Sequence, residues 1–208
     1  IGPVSISMDR FNLEEARRNP TGMPDAEASA QAEEYLQKCI ENQDSAGGVV
    51  SCKVHGMPAG IGEPVFDKLD ACLGQAVMSI GAVKAFAVGD GCEVSKKNGS
   101  TNNDAFCNVN GQISKKTNHA GGILGGISDG SDIILRAYFK PTPSIYQKQQ
   151  TVNQAGEEIE IQIKGRHDPI VVSRAVVVVE AMTAVTILDE LLRNMTSRLD
   201  GIKKFYHK

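Results

Sequence analysis

The chain has 208 residues, of which 41% are hydrophobic and 23% charged, with a formal net charge of −3. These are the proportions of a globular protein, and the small negative charge excludes a general attraction to nucleic acid or to an anionic membrane. The longest apolar run, Ala175–Val179, falls far short of the ~18 residues that span a bilayer.

Val4–Met8 reads as a short strand, and Asp9–Gly22 as a polar loop. A helix is predicted from Pro24-Asp25 to about Gln43, because Ala28, Ala32, Tyr35, Leu36, Cys39 and Ile40 recur at three- and four-residue steps. Gly48–His55 alternates as a strand with Val50, Cys52 and Val54 on one side. His55 at its end is a weak site candidate, with a satisfied structural histidine as the favoured reading. After the loop Gly56–Pro64, a second helix is predicted over Val65–Ile80, with Phe66, Leu69, Leu73, Ala76, Val77 and Ile80 inward and Asp67, Lys68 and Asp70 forming local pairs.

Ala82–Val88 is the next strand, and Gly89-Asp90-Gly91 a turn. Residues 95–117 are polar and are expected to form a long mobile loop able to fold over a ligand. A hairpin follows further on, with a turn at Gln154-Ala155-Gly156 and a strand over Glu158–Ile163. Ser173 to about Leu199 reads as one long buried helix, with strand over Val176–Val179 as the alternative by propensity, and Glu180 within it must be paired or at a site. The basic tail, Gly201–Lys208, is expected to fray. Helices and strands in roughly equal measure, without strict βα repetition, give an α+β fold.

The five cysteines, Cys39, Cys52, Cys72, Cys92 and Cys107, are odd in number and show no metal spacing, so five reduced thiols are expected. The chain opens on Ile-Gly-Pro-Val-Ser-Ile, without an initiator methionine or a secretory signal. It is therefore expected to be part of a longer polypeptide.

Chemistry concentrates in two stretches. Gly121, Gly122, Gly125, Gly126 and Gly130 precede an apolar strand, Ile133–Phe139, which ends at Lys140-Pro141-Thr142-Pro143-Ser144. Glycine removes Cβ atoms where backbone passes close to a neighbour or takes positive φ. A cation, two hydroxyls and a rigid prolyl turn at a strand end suit an anionic group. Neither GxxxxGK[ST] nor GxGxxG is present, so this is no standard phosphate loop. The second stretch is Arg166-His167-Asp168 before Pro169. There Arg166 can clamp a phosphate and Asp168 beside His167 can act as an acid–base pair. A Ser-His-Asp hydrolase is set aside because no GxSxG elbow is present.

NHAGGILGGISDG, KPTPSI at Lys140–Ile145, GRHDP at Gly165–Pro169 and RAVVVVEAM at Arg174–Met182 together resemble chorismate synthase. DSAGG at Asp44, GIGEPVFDKLDA from Gly60 and SIGAVKAFAVGDG from Ser79 resemble the same family in the same order. The resemblance implies a layered sheet–helix–sheet sandwich of mainly antiparallel strands, here incomplete, in a homotetramer. It also implies a carbon–oxygen lyase of the shikimate pathway. That enzyme eliminates phosphate from 5-enolpyruvylshikimate 3-phosphate with reduced FMN, the electrons coming from a flavin reductase or NAD(P)H.

By the same resemblance, Gly81, Ala82, Gly125, Lys140, Pro141, Thr142, Pro143, Ser144 and Arg166 line the flavin site, and Asp168 handles a proton beside it. No metal is implied, and the implied location is the cytoplasm, with a plastid or other organelle as the alternative. Ile170, Val177, Asp129 and Cys92 stand where the family commonly has cysteine, proline, asparagine and phenylalanine. The family's N-terminal two fifths, with its two catalytic histidines, has no counterpart, and His55, His119, His167 and His207 match neither. This chain alone is therefore expected to be weakly active or inactive. The rival reading is a non-catalytic FMN- or phosphate-binding module, or an assembly domain.

Overall fold

The structure is a computed structural model and describes residues 1–165 and 167–206. Arg166, one of the expected anion clamps, lies outside the described residues, as does His207. In chain order the elements are α1 (Ala26–Glu41), β1 (Gly48–Val54), α2 (Leu69–Met78), β2 (Val83–Val88), the single turn α3 (Gly99–Asn102), β3 (Phe106–Val109), β4 (Gln112–Lys115), β5 (Ile123–Leu124), β6 (Ile127–Ser128), β7 (Ile133–Phe139), β8 (Gln149–Val152), β9 (Glu158–Ile161), α4 (Val172–Asn194) and α5 (Leu199–Tyr206). The class is α+β. Among the described residues one sheet has three strands in the order β1-β7-β2, and β3–β4, β5–β6 and β8–β9 form antiparallel pairs. The chain divides into two compact units, Ile1–Val49 with Tyr138–Val176, and Val50–Ala137 with Val177–Lys208.

In the first unit α1 starts where the sequence predicts, because Asp25 caps it. The fully buried Asp25 carboxylate accepts from Glu27 N at 3.1 Å and Ala28 N at 3.2 Å, two of the donors that a helix start leaves unpaired. It also accepts from Ser7 N at 2.9 Å and Arg10 Nε at 3.1 Å. The Ser7 amide and then Arg10 hold this carboxyl well below its ordinary value, at about 2. The expected strand Val4–Met8 does not form. The chain there takes a 3₁₀ turn at Met8–Arg10, bending so that Ser7 and Arg10 meet Asp25.

In the second unit β7 alternates as a strand with one buried face, Ile133, Leu135 and Ala137 being fully buried. α2 presents Leu69, Leu73 and Val77, all fully buried. A Cβ at Gly74 would lie 3.3 Å from the Phe86 ring, so α2 lies close on β2. The second helix begins four residues later than predicted, since Val65 has φ 76° and cannot be helical. Phe66, expected inward, is 87% exposed on that loop. Asp67 pairs not with a local cation but with Arg193 at 2.7 Å.

The stretch 95–117, read as a loop, carries α3 and the β3–β4 hairpin, whose Asn110-Gly111 turn takes positive φ at both residues. The predicted long buried helix ends at Asn194 and is half exposed: Glu180 faces solvent, and the buried acid is Glu190. The tail, expected to fray, is helical to Tyr206. All five cysteines are free.

Candidate functional site

In the first unit Lys140–Ser144 leaves the end of β7 as a prolyl turn. Pro141 and Pro143 fix φ and offer no N–H, so the segment is stiff and is tied down through its carbonyls. Ser45 Oγ donates to Thr142 O at 2.7 Å, and Gln149 Nε2 to Pro143 O at 3.2 Å. Gly47 lies against the same segment, where a Cβ would stand 2.6 Å from Phe139 O and 3.2 Å from Pro141 Cδ. Between them, Ala46 N donates to Pro169 O at 2.8 Å and Ala46 bridges Ile170. Residues 45–47 thus join the Lys140–Ser144 turn to the stretch just after Asp168. DSAGG was legible only as part of the family resemblance and not as this joint, since its partners lie about a hundred residues away.

Two polar groups on this turn are unspent. Among the described residues the buried Thr142 hydroxyl has no hydrogen-bond partner, a condition costing about 1–3 kcal/mol. The Lys140 ammonium reaches Pro141 O at 3.5 Å, at the outer limit of a hydrogen bond.

Asp168 does not pair with His167. Arg174, in the first turn of α4, donates to Asp168 Oδ2. His167 instead places Nε2 3.2 Å from Ile163 O and stands edge-on to Tyr146 with ring centroids 4.6 Å apart. Arg174 is the functional candidate that reading the residues missed. Its signal was a cation at the first helical turn after the Asp-Pro step.

The second unit holds Gly81, Ala82 and Gly125. Gly81 and Ala82 form the turn before β2. Ala82 has φ 71°, a left-handed conformation that costs an L-residue about 1–2 kcal/mol and that marks functional turns. Gly125 and Gly126 are the two-residue turn of the β5–β6 hairpin, with φ 61° and 87°, as a type I′ turn demands. A Cβ on Gly125 would meet nothing within 4 Å, whereas one on Gly126 would stand 2.3 Å from Lys68 Cγ. The hairpin is open on the Gly125 side and locked on the other. Gly126 O accepts from Leu69 N, the first amide of α2, at 2.8 Å, and Ser128 exchanges bonds with Pro58, Gly60 and Ile61.

Upstream, Asp104 accepts from Thr117 Oγ1 at 2.6 Å, His119 N at 2.7 Å and Ala120 N at 3.0 Å, pinning the start of the glycine-rich stretch. Burial pushes its carboxyl up, but these bonds and the nearby Lys115 outweigh burial and hold it at about 2. Lys115, only 3% exposed, stands 2.5 Å from Asp129 and 3.7 Å from Asp104. Asp90 lies between Lys97 and His119, with His119 Nδ1 at 2.7 Å. His55 meets Asp132 at 3.0 Å, beside Lys53 at 2.9 Å, a structural pairing as expected.

Residues 2–192 match the chorismate synthase family. The chain belongs to that family. It is 59% identical over 209 residues to the chorismate synthase of Lachnoclostridium phytofermentans and 56% identical over 208 residues to that of Agathobacter rectalis; each match takes in 100% of this chain and 57% of the relative. A crystal structure of chorismate synthase aligns with a TM-score of 0.73 at 27% identity, over 92% of this chain and 51% of that one. The chain therefore spans 57% of the length of these chorismate synthase relatives. Among the departures from the chorismate synthase pattern, Asp129 adds no free negative charge, because its carboxylate is spent on buried Lys115.

Proposed function

We propose that the chain performs its share of the chorismate synthase reaction: elimination of phosphate from 5-enolpyruvylshikimate 3-phosphate to give chorismate, with reduced FMN bound at the Lys140–Ser144 turn. One observation on this chain carries the reading. Among the described residues Thr142 keeps a buried hydroxyl without a partner beside a lysine at a rigid strand end, and a phosphate or flavin oxygen is the kind of acceptor that both would take. The residues therefore fit the cofactor.

The flavin, when bound, lends and recovers electron density while the carbon–oxygen bond breaks. The chain's own residues bind and hold. Lys140 neutralises anionic charge, Thr142 Oγ1 donates, and Ser45 and Gln149 keep the turn's carbonyls turned away into the fold. Arg174 occupies Asp168 Oδ2, which leaves Oδ1 as the atom that takes and returns a proton. Lyase chemistry, a homotetrameric assembly and a cytoplasmic setting belong to the same proposal.

The test is a chimera in which this chain replaces its 59%-identical counterpart in the Lachnoclostridium phytofermentans protein. It is expected to form chorismate from the substrate only with reduced FMN. Asp168→Asn in the chimera is expected to lower kcat by about 10²–10⁴-fold, the range for a positioned proton-transfer group. A folded chimera without turnover, or one indifferent to Asp168→Asn, contradicts the reading.

A further inference from the structure

Lys115 is buried on a strand that is not. Residues two apart on a strand share a face, and on the face of β4 that carries Lys115, Ile113 is 84% exposed. The Lys115 side chain nevertheless turns inward between two carboxylates, Asp129 and Asp104, that are themselves buried. Among the described residues no other cation stands within 4.0 Å of either one.

The two acids hold opposite ends of one segment. Asp104 accepts from the amides of His119 and Ala120, just before the first glycines. Asp129 closes the far end. Its amide donates to Gly122 O at 3.0 Å, and its Oδ1 accepts from Ser131 N at 2.9 Å. Between these ends lie Gly121, Gly122 and the β5–β6 hairpin, with Gly125 at its turn. The bonds of Gly126 and Ser128 fasten the hairpin to residues 58–69; they leave the relation of entrance to exit open, and Lys115 supplies it. The family's common asparagine at position 129 would bring no charge to the lysine, whereas Asp129 does.

We infer that Lys115 is a positioning residue for the Gly125 turn. It reaches no ligand itself. It acts through Asp104 and Asp129, fixing the two ends of the glycine-rich segment to each other and so the open side of Gly125. The inference rests on the reading of Gly125 as part of the flavin site.

The test is titration of reduced FMN into the unaltered chain and into Lys115→Met with Asp129→Asn, a pair that leaves no unpaired charge at position 129. The double variant should raise Kd about tenfold or more, within the coupling range of residues in one network. Asp129→Asn alone, whose amide oxygen still accepts from Lys115, should stay within about threefold. Gly56→Ala, destabilised at a site remote from this network, should bind as the unaltered chain does. A folded double variant with unaltered affinity overturns the inference, and so does an equal loss in Gly56→Ala, which would assign the effect to general instability. Hydrogen exchange without ligand separates the inference from the flavin reading. The Gly122–Ser131 amides should exchange about tenfold faster in the double variant, as local opening allows. If the unaltered chain takes up no FMN, the flavin reading fails and exchange decides alone: equal protection in the two chains overturns the positioning role, and faster exchange in the double variant upholds it.

Discussion

Gly89→Ala lowers the unfolding free energy of this chain by about 2–5 kcal/mol. The left-handed backbone, φ +59° at Gly89, costs an alanine about 1–2 kcal/mol. The added Cβ would stand 2.1 Å from His119 O and 2.7 Å from Gly121 N, and forcing such backbone apart costs roughly 1–3 kcal/mol more. The backbone there is fixed on both sides, because Gly89 N donates to Ile134 O at 2.9 Å and Asp90 N to His119 O at 2.9 Å. Gly56 supplies the control, with φ +73° and nothing within 4 Å of an added Cβ. Gly56→Ala pays only the backbone term, about 1–2 kcal/mol. Urea midpoints at constant slope measure both, and equal losses at the two sites would show that the crossing of residues 89 and 119–121 is looser than described.

Lys115→Met is the second large effect. Removing the cation leaves Asp129 and Asp104, 8% and 3% exposed, as buried carboxylates facing each other's charge. Breaking such a pair from one side costs about 3–5 kcal/mol. The pH dependence follows from the carboxyl groups. In the unaltered chain Asp104 at about 2 and the lowered Asp129 stabilise the fold above about pH 4, and that support fades as the pH falls through their folded values. Without Lys115 both carboxyls take up protons more readily, and the protonated forms carry no charge to bury. The deficit of Lys115→Met is therefore largest near pH 7 and shrinks toward pH 4. Adding Asp129→Asn restores part of the loss at pH 7. A deficit that stays constant with pH would assign it to lost packing of the lysine stem alone.

Local signals were legible where a residue's partner is near in sequence. Asp25 announced α1 because its cap bonds reach only two and three residues ahead. β7 announced itself by alternation. Asn110-Gly111 carried the strongest short hairpin signal, yet the surrounding polar composition drew the reading toward a loop. The start of α2 was not legible, since nothing in Pro64-Val65 declares a φ of 76° at a β-branched residue. The Lys140–Ser144 segment was legible as a rigid prolyl turn after β7. Its supports were not, because Ser45 reaches Thr142 across 97 residues and Arg174 finds Asp168 only once α4 has formed. α4 read as buried because it is rich in apolar residues, yet the face with Val179, Thr183, Ile187 and Glu190 is buried while Val185, Leu188 and Leu192 are exposed.

The phosphate-holding role proposed for the Lys140–Ser144 turn is tested most directly by titrating reduced FMN into the chain and into Thr142→Val. In the free protein valine removes an orphaned hydroxyl, so the Tm of Thr142→Val should equal or exceed that of the unaltered chain. With FMN the same change deletes a donor to an anion, so affinity should fall by about 1.5–3 kcal/mol, as it should for Lys140→Ala. A Thr142→Val chain that melts lower yet binds FMN unchanged would contradict the assignment of this turn to the flavin.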